Sequence, residues 1–501
     1  MLRGFLLLLL CLCVSVTVIP ATTWAADDED IEEIFDRLDA LELKAAQDKV
    51  SFRGDFRVRY DYQKWQVPAY NQFVGMNFSD PMNPLPVYMP VRAQELKNTE
   101  AYSARLRLKM DAKLGKDVHF TGRLNMHRGF GAGSVPLFNG FPNTVATAFN
   151  SVAIPTDDVL HVERAAFTWE PDYLPLFFTL GRQAATGGPP REISENKVRQ
   201  GTPGALMIDA QIDGFMLGMR MDKIGLPEGS VFRFCYGTGF ESGFGSGGAT
   251  AGTYVTTYVP DVTDPNNPTL MAMPQMVGEL EDSKVAGICG ETSIPALPGE
   301  TLLSFGYFRM LNMTDIPYGV TRGFPNMMST QSQVVTSTAN LGDMDLMGFC
   351  FQHSVELSEE FELDWFASYA TNKSHPDAGT ASLYGFGPLL GNDSEDLTGS
   401  AYYLGIRGDL PPTGGKLGFE YNHGDENWFA YIPAGDDVNS KLSTRGNVIE
   451  AYYIQPLRDK GLDLRVGIQK YTYDYAFSGW HISPAPIENF DLSAEPFSPY
   501  P

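Results

Sequence analysis

Three stretches of this sequence carry charged or polar residues at every second position, cations foremost. Arg53, Arg57 and Arg59 share a parity with Asp55 and Asp61. Arg105, Arg107, Lys109 and Lys113 share one with Asp111, and Arg123 shares one with His119, Asn125 and His127. On a strand, successive side chains point to opposite faces, so such spacing builds charged walls. Walls of guanidinium and ammonium groups orient polar solutes and set ion selectivity. Arg164 and Arg182 extend the row. The candidate solute-facing set is therefore Arg53, Asp55, Arg57, Arg59, Arg105, Arg107, Lys109, Asp111, Arg123, Arg164 and Arg182. Glu362, Asp364, Glu420, Glu450 and Asp463 are expected to face the same interior from later strands, a basic wall opposite an acidic one. Two outcomes stay open. The walls form an eyelet that orients solutes and mildly favours anions, or the charges pair and leave selectivity weak.

Other chemistry finds little support. His353 and Ser354 are neighbours on one expected strand, so their side chains diverge and cannot form a nucleophile–base pair. The glycines from Gly237 to Gly248 do not lead from a strand into a helix, so they form a loop and not a phosphate cradle. The Asp261–Asn267 run misses the spacing of a calcium loop. Beyond residue 25 the cysteines are Cys235, Cys289 and Cys350, with no C-x-x-C among them, and they read as small apolar residues on strands. No catalytic set, metal site or cofactor is expected, and the chain does not read as an enzyme. A net charge of −24 argues against a nucleic-acid partner.

The charged rows need elements to hold them. Residues 1–25 read as a secretory signal peptide, with Arg3, an uncharged run from Phe5 to Val18, and small residues at Thr23 and Ala25. Residues 26–49 read as an acidic helix whose Ile31, Ile34, Leu38, Leu41 and Ala45 fall on one seam. That helix is either a short coiled coil or a single amphipathic helix capping or plugging the strands after it. From 50 to 501 the period is two. Val50, Phe52, Phe56, Val58, Tyr60 and Tyr62 oppose the first charged row, and Tyr102, Ala104, Leu106, Leu108 and Met110 oppose the second.

Connections along 50–501 alternate. Short turns are expected at Gly115-Lys116-Asp117, Pro171-Asp172, Asp222–Gly229, Pro295–Gly299, Leu357–Glu360, Pro411–Gly415 and Leu457–Gly461. Long Gly-, Pro- and Asn-rich segments separate them, among them Gln63–Thr99, Ala184–Gly204, Gly239–Asp282 and His423–Thr444. Gly239–Asp282, the longest, is the leading candidate to fold into the interior. This rhythm is that of a transmembrane antiparallel up-and-down β-barrel of the outer membrane, with short periplasmic turns and long outer loops. About fifteen strands are legible, and a sixteenth near the C-terminus would make an even count, so the expectation is about 16. Arginine cost settles which face is which. Each Arg on the lipid side costs about 2–4 kcal/mol, so three together would cost on the order of 6–12 kcal/mol, comparable to a domain's stability. Phe and Val therefore face lipid. Lys470 shares the parity of Leu464, Val466 and Ile468, and either snorkels at the interface or marks a bulge.

The Gly54–Tyr60 strand, the Leu180-Gly181-Arg182-Gln183 segment and the Asp213-Gly214 strand resemble those of a family of uncharacterised porin-like outer-membrane β-barrels of Gram-negative bacteria. The resemblance implies a barrel, usually a homotrimer, embedded in the outer-membrane bilayer and passing small polar solutes or ions. Many such barrels end in an aromatic residue; this chain ends Phe497-Ser498-Pro499-Tyr500-Pro501. The expected function is that of a passive porin. The alternatives are a structural sleeve for a partner such as a separate cytochrome and, more remotely, an outer-membrane enzyme.

Overall fold

Periodicity of two over long stretches produces long strands. The computed structural model describes residues 50–67, 69–77, 85–130, 160–240, 254–260, 270–276, 282–314, 340–377, 389, 395–432, 434–435, 437, 439–458 and 461–475. The expected signal peptide, the expected acidic helix and the expected sixteenth strand near the C-terminus lie outside these residues. The chain divides into two units, Met1–Ser51 and Phe52–Pro501, and the second holds the barrel.

Fifteen strands form one sheet, in the order β1 (Val50–Val67), β4 (Gln94–Lys113), β5 (Val118–Gly129), β6 (His161–Trp169), β7 (Leu176–Ala185), β8 (Ala210–Arg220), β9 (Val231–Phe240), β12 (Ser283–Thr292), β13 (Glu300–Thr314), β14 (Asn340–Ser358), β15 (Phe361–Pro376), β16 (Thr398–Leu410), β17 (Gly415–Gly424), β18 (Gly446–Pro456) and β19 (Asp463–Tyr473). Each strand pairs with its neighbour in sequence, apart from two excursions. These are the hairpins β2 (Tyr70–Asn77) with β3 (Leu85–Val91), and β10 (Tyr254–Pro260) with β11 (Leu270–Met276). The ladders are antiparallel, as between β14 and β15 or β18 and β19.

The sheet curls until its two edge strands face each other. Trp65 on β1 stacks on Tyr473 of β19, with ring centres 6.3 Å apart and planes 5° from parallel. An open sheet of this length would hold its first and last strands far apart, so the stack marks the seam of a barrel. Among the described residues the two strands share no ladder, and side chains span the seam. Curling in this way shields the edges that a flat sheet would offer to other chains.

Parity is as the arginines demand. Phe52, Phe56 and Val58 are 62, 67 and 54 % exposed, while Asp55, Arg57 and Arg59 are partly covered. Leu404 and Ile406, Leu417 and Phe419, and Val466 and Ile468 continue the outer apolar band. Trp169 and Trp365 sit at its short-turn end, whereas Tyr60 and Tyr102 pack together toward the other, 5.0 Å between ring centres. Aromatic girdles of this kind flank the apolar band of membrane barrels.

Two boundaries differ from expectation. β1 continues to Val67 and β4 begins at Gln94, so the strands intrude well into the expected loop Gln63–Thr99. The ion pairs Lys64–Glu95 at 2.6 Å and Lys97–Glu95 at 2.5 Å lie on this extension, which hides its strand character from a hydropathy pattern. Lys470 sits opposite Ile449 in an uninterrupted β18–β19 register. No bulge shifts it, so it stays on the outer face close to the strand end.

Candidate functional site

A barrel of fifteen strands is too wide for wall side chains alone to fill. Two connections expected as outer loops fold inward and occupy part of it. The first is 186–209. Gly188 starts it, with its Cα so close to Pro203 that an added Cβ would lie 1.9 Å from the Pro203 carbonyl oxygen. A single helical turn follows at Arg191–Glu195 and ends on Asn196 in the left-handed conformation. The second segment comprises the described residues of 425–445. The two meet at a parallel bridge between Ile208 and Tyr431, where the Asp209 amide donates to the Tyr431 carbonyl at 2.8 Å.

Their apolar residues belong to the buried hydrophobic cluster of the described residues. Leu206, Met207, Ile208, Trp428 and Phe429 are buried against inward-facing Phe308, Met344, Leu346, Phe366 and Tyr403. Gly306 and Gly348 leave room for Met207, whose Cε would stand 2.7 Å from a Cβ on Gly306. Asn372 receives the second segment, accepting from the Phe429 amide at 2.8 Å and donating to the Asn427 carbonyl at 3.0 Å. Chains this apolar cannot lie in water without loss, and the inner face of β12 to β16, where apolar residues such as Phe308, Met344, Leu346 and Phe366 cluster, is where they can be buried. Among the described residues, the inward segments are therefore 186–209 and 425–445. Most of Gly239–Asp282, the leading candidate, lies outside the described residues.

The other half of the wall is charged. Asp55, Arg57 and Arg59 line it from β1, with Arg53 exposed at the strand's start. Arg105, Arg107, Lys109 and Asp111 line it from β4, Arg123 from β5 and Arg164 from β6. By strand parity these ten share the inner face. Asp55 bonds Arg105 at 3.1 Å and Lys197 of the inward segment at 3.4 Å. Arg123 donates to the Thr186 hydroxyl at 2.5 Å. The helical turn is also held by the far wall, where Gln352 donates to Glu192 at 2.9 Å and Arg407 to the Ile193 carbonyl at 2.5 Å. Segment 186–209 thus crosses the lumen with polar anchors on both sides.

Arg182 does not belong to the lining. It pairs bidentately with Asp213, at 2.9 and 2.6 Å. It shares the parity of exposed Leu180, and Asp213 that of exposed Leu217, so the pair lies on the outer face. Arginine is tolerated there because its partner stands directly opposite and both are close to a strand end, where the lipid-side cost falls.

Glu163 was missed by parity. It shares that of Phe167 on the lipid face, yet is fully buried inside. A bulge explains it: Arg123 pairs with Arg164, but Leu124 pairs with Val162. The extra residue turns inward. There Glu163 binds Arg107 at 2.7 Å and Arg123 at 2.6 Å. Its only sequence signal was a charge on an apolar face.

The expected acidic wall is not open. Asp364 is bound by Arg407 at 2.6 Å, and Glu420 and Glu450 both bind Lys441. Glu362 meets Lys416 at 3.3 Å, and Asp463 is exposed at the first position of β19. A buried carboxylate without a partner is too costly to keep, so Asp364, Glu420 and Glu450 are each matched with a cation and covered. His353 and Ser354 part as expected: Ser354 donates to Asp364, while His353 faces Trp365 and the Pro298 carbonyl on the other side.

Three carboxyls of the inward segment titrate unusually, and burial raises the first of them, Glu192, above the usual range. Burial alone would raise Glu195, but Lys197, Arg191, Arg105 and Arg57 hold it well below the usual range. Asp209 bonds Arg191 at 3.1 Å, yet its burial is complete enough to push it up to about 7 from 3.8. Between those values the folded protein binds a proton that the unfolded chain does not, so stability falls as pH rises. Glu195 acts only below about 4.5, its ordinary value, and does not offset this. Asp209→Asn is expected to flatten the pH dependence of the urea midpoint between about pH 4 and 7, removing on the order of 1.4 kcal/mol per unit. An unchanged slope in the variant would refute the assignment.

A family described as proteins of unknown function, DUF3373, matches residues 95–264 and 267–499. The chain belongs to this family. The DUF3373 match covers the charged strands β4 to β6, both inward segments and every later strand of the barrel. No functionally curated protein resembles the sequence. Among solved structures, Pseudomonas putida OprB is similar over 89 % of this chain and 93 % of its own, at 10 % identity and a TM-score of 0.43. An anion-selective porin from Comamonas acidovorans matches over 88 and 95 %, at 12 % identity and 0.39. Salmonella typhi OmpF in complex with daunomycin matches over 86 and 94 %, at 9 % identity and 0.37. The barrel of this DUF3373 member rests on its own register and seam and not on these likenesses.

Proposed function

We propose that the protein is an outer-membrane porin in which small polar and ionic solutes diffuse along one half of the lumen, with a preference for anions. The observation that carries this reading is the division of the interior. Segments 186–209 and 425–445 fill the side lined by apolar residues of β12 to β16, and the charged side formed by β1, β4, β5 and β6 remains the polar face. A solute passing that face meets Arg57, Arg59, Arg107, Lys109 and Arg164 against Asp55, Asp61 and Asp111, an excess of cations. Charges lining a narrow path set ion preference. The exposed apolar band and its aromatic girdles support a place in the outer membrane, and a homotrimer fits the same reading. A sleeve around a separate cytochrome would need the volume that the chain's own inward segments occupy.

Planar-bilayer recording tests this. Folded protein should insert in discrete conductance steps, and in a gradient of potassium chloride the reversal potential should lie on the chloride side. Folded, inserted protein that gives no steps, or a potential on the potassium side, would overturn the proposal.

A further inference from the structure

The β4–β5–β6 register sets three cations side by side. Lys109 stands directly opposite Arg123, and Arg123 directly opposite Arg164. Like charges opposed across a ladder are destabilising, so the arrangement needs compensation. Arg107, two residues along β4, adds a fourth cation. Two carboxylates lie on the same strands. Glu163 is bound by Arg107 and Arg123, and Asp111 follows Lys109 on the same face of β4. Arg123 is further fixed by the Thr186 hydroxyl of the inward segment. The half-buried Lys109 ammonium has no hydrogen bond or ion pair among the described residues.

We propose that this row is a binding site for a small tetrahedral oxyanion of charge two, taken up from the lumen. The proposal deepens the porin reading and rests on it for access. Asp55 and Asp209 also act on this row, but Lys197 and Arg105 stand beside them, so six cations face four carboxylates and leave an excess that a dianion neutralises. Adjacent strands lie about 4.8 Å apart, so heads on three neighbouring strands converge on one compact ion and not on two separated charges. Guanidinium forks suit oxyanion edges, and the unengaged ammonium supplies a mobile point charge. The Glu163 bulge holds Arg107 and Arg123 in place beside it.

Inorganic phosphate is the probe. Titration calorimetry on the folded, detergent-solubilised protein, at constant ionic strength, should show saturable phosphate binding that chloride does not reproduce. Lys109→Gln should weaken it about tenfold, which is about 1.4 kcal/mol. Lys116→Gln, in the exposed turn after β4, should leave it unchanged. Circular dichroism and heat-modified gel mobility confirm that both variants are folded. Phosphate binding no tighter than chloride overturns the site, as do equal losses in the two variants, which would show diffuse wall charge. The pore and the site fail separately. Saturable phosphate binding without conductance removes the pore and keeps the site, and anion-preferring conductance without phosphate binding does the reverse.

Discussion

Lys441→Met is expected to destabilise the folded barrel by about 3–5 kcal/mol. Lys441 is buried in the second inward segment, where its ammonium bonds Glu420 and, at 2.7 Å, Glu450. Glu420 also accepts from the Tyr403 hydroxyl at 2.5 Å, and Glu450 is shared with Arg465 at 2.6 Å. Removing the lysine leaves Glu420 fully buried without its cation. The desolvation of that charge then goes uncompensated, and this loss exceeds what the ion pair itself contributes. Lys441 also anchors 425–445, so the apolar half of the lumen should loosen and conductance should rise. Urea unfolding followed by tryptophan fluorescence measures the first effect and bilayer recording the second. Glu420→Gln in the Lys441→Met background should recover much of the lost stability. A loss below about 1 kcal/mol, the scale of an exposed pair, would show that the network is open to solvent.

Glu163→Gln should change both stability and selectivity. The carboxylate binds Arg107 and Arg123, which are themselves largely buried. Neutralising it costs on the order of 3 kcal/mol, since two guanidinium groups lose their counter-charge. It also adds one positive charge to the polar lane. The reversal potential should move further to the chloride side at about 0.1 M salt, where charges act over about 10 Å, and the difference should nearly vanish at about 1 M, where they act over about 3 Å. A selectivity that ignores Glu163→Gln at low salt would place the conducting path elsewhere in the lumen.

Much of the architecture was legible in local pattern. The alternation of Phe52, Phe56 and Val58 with Asp55, Arg57 and Arg59 specified both the strand and its two faces, because the lipid-side cost of arginine acts residue by residue. The alternation of short turns with long connections specified an up-and-down barrel for the same kind of reason: a turn of two to four residues can only return the chain antiparallel beside itself. Ten of the eleven candidate residues share the inner face by strand parity, and Arg182 does not.

The remainder depended on contacts between residues far apart in sequence. Whether 186–209 runs outward or inward depends on an apolar surface spread over β12 to β16, and no pattern within the segment records that surface. Arg182 left the lining because Asp213, some thirty residues on, met it across a ladder on the outer face. Glu163 entered the lining because a single bulge shifted one residue against its neighbours, and a period of two turns one residue of slip into a change of face. The later carboxylates lost their openness to Arg407 and Lys441 for the reason that governs every buried charge here. Sequence by itself determined which residues could face lipid, since each carries that cost alone. Tertiary structure decided which of the inward charges remained exposed to a solute, since that depends on which partners the folded chain delivers.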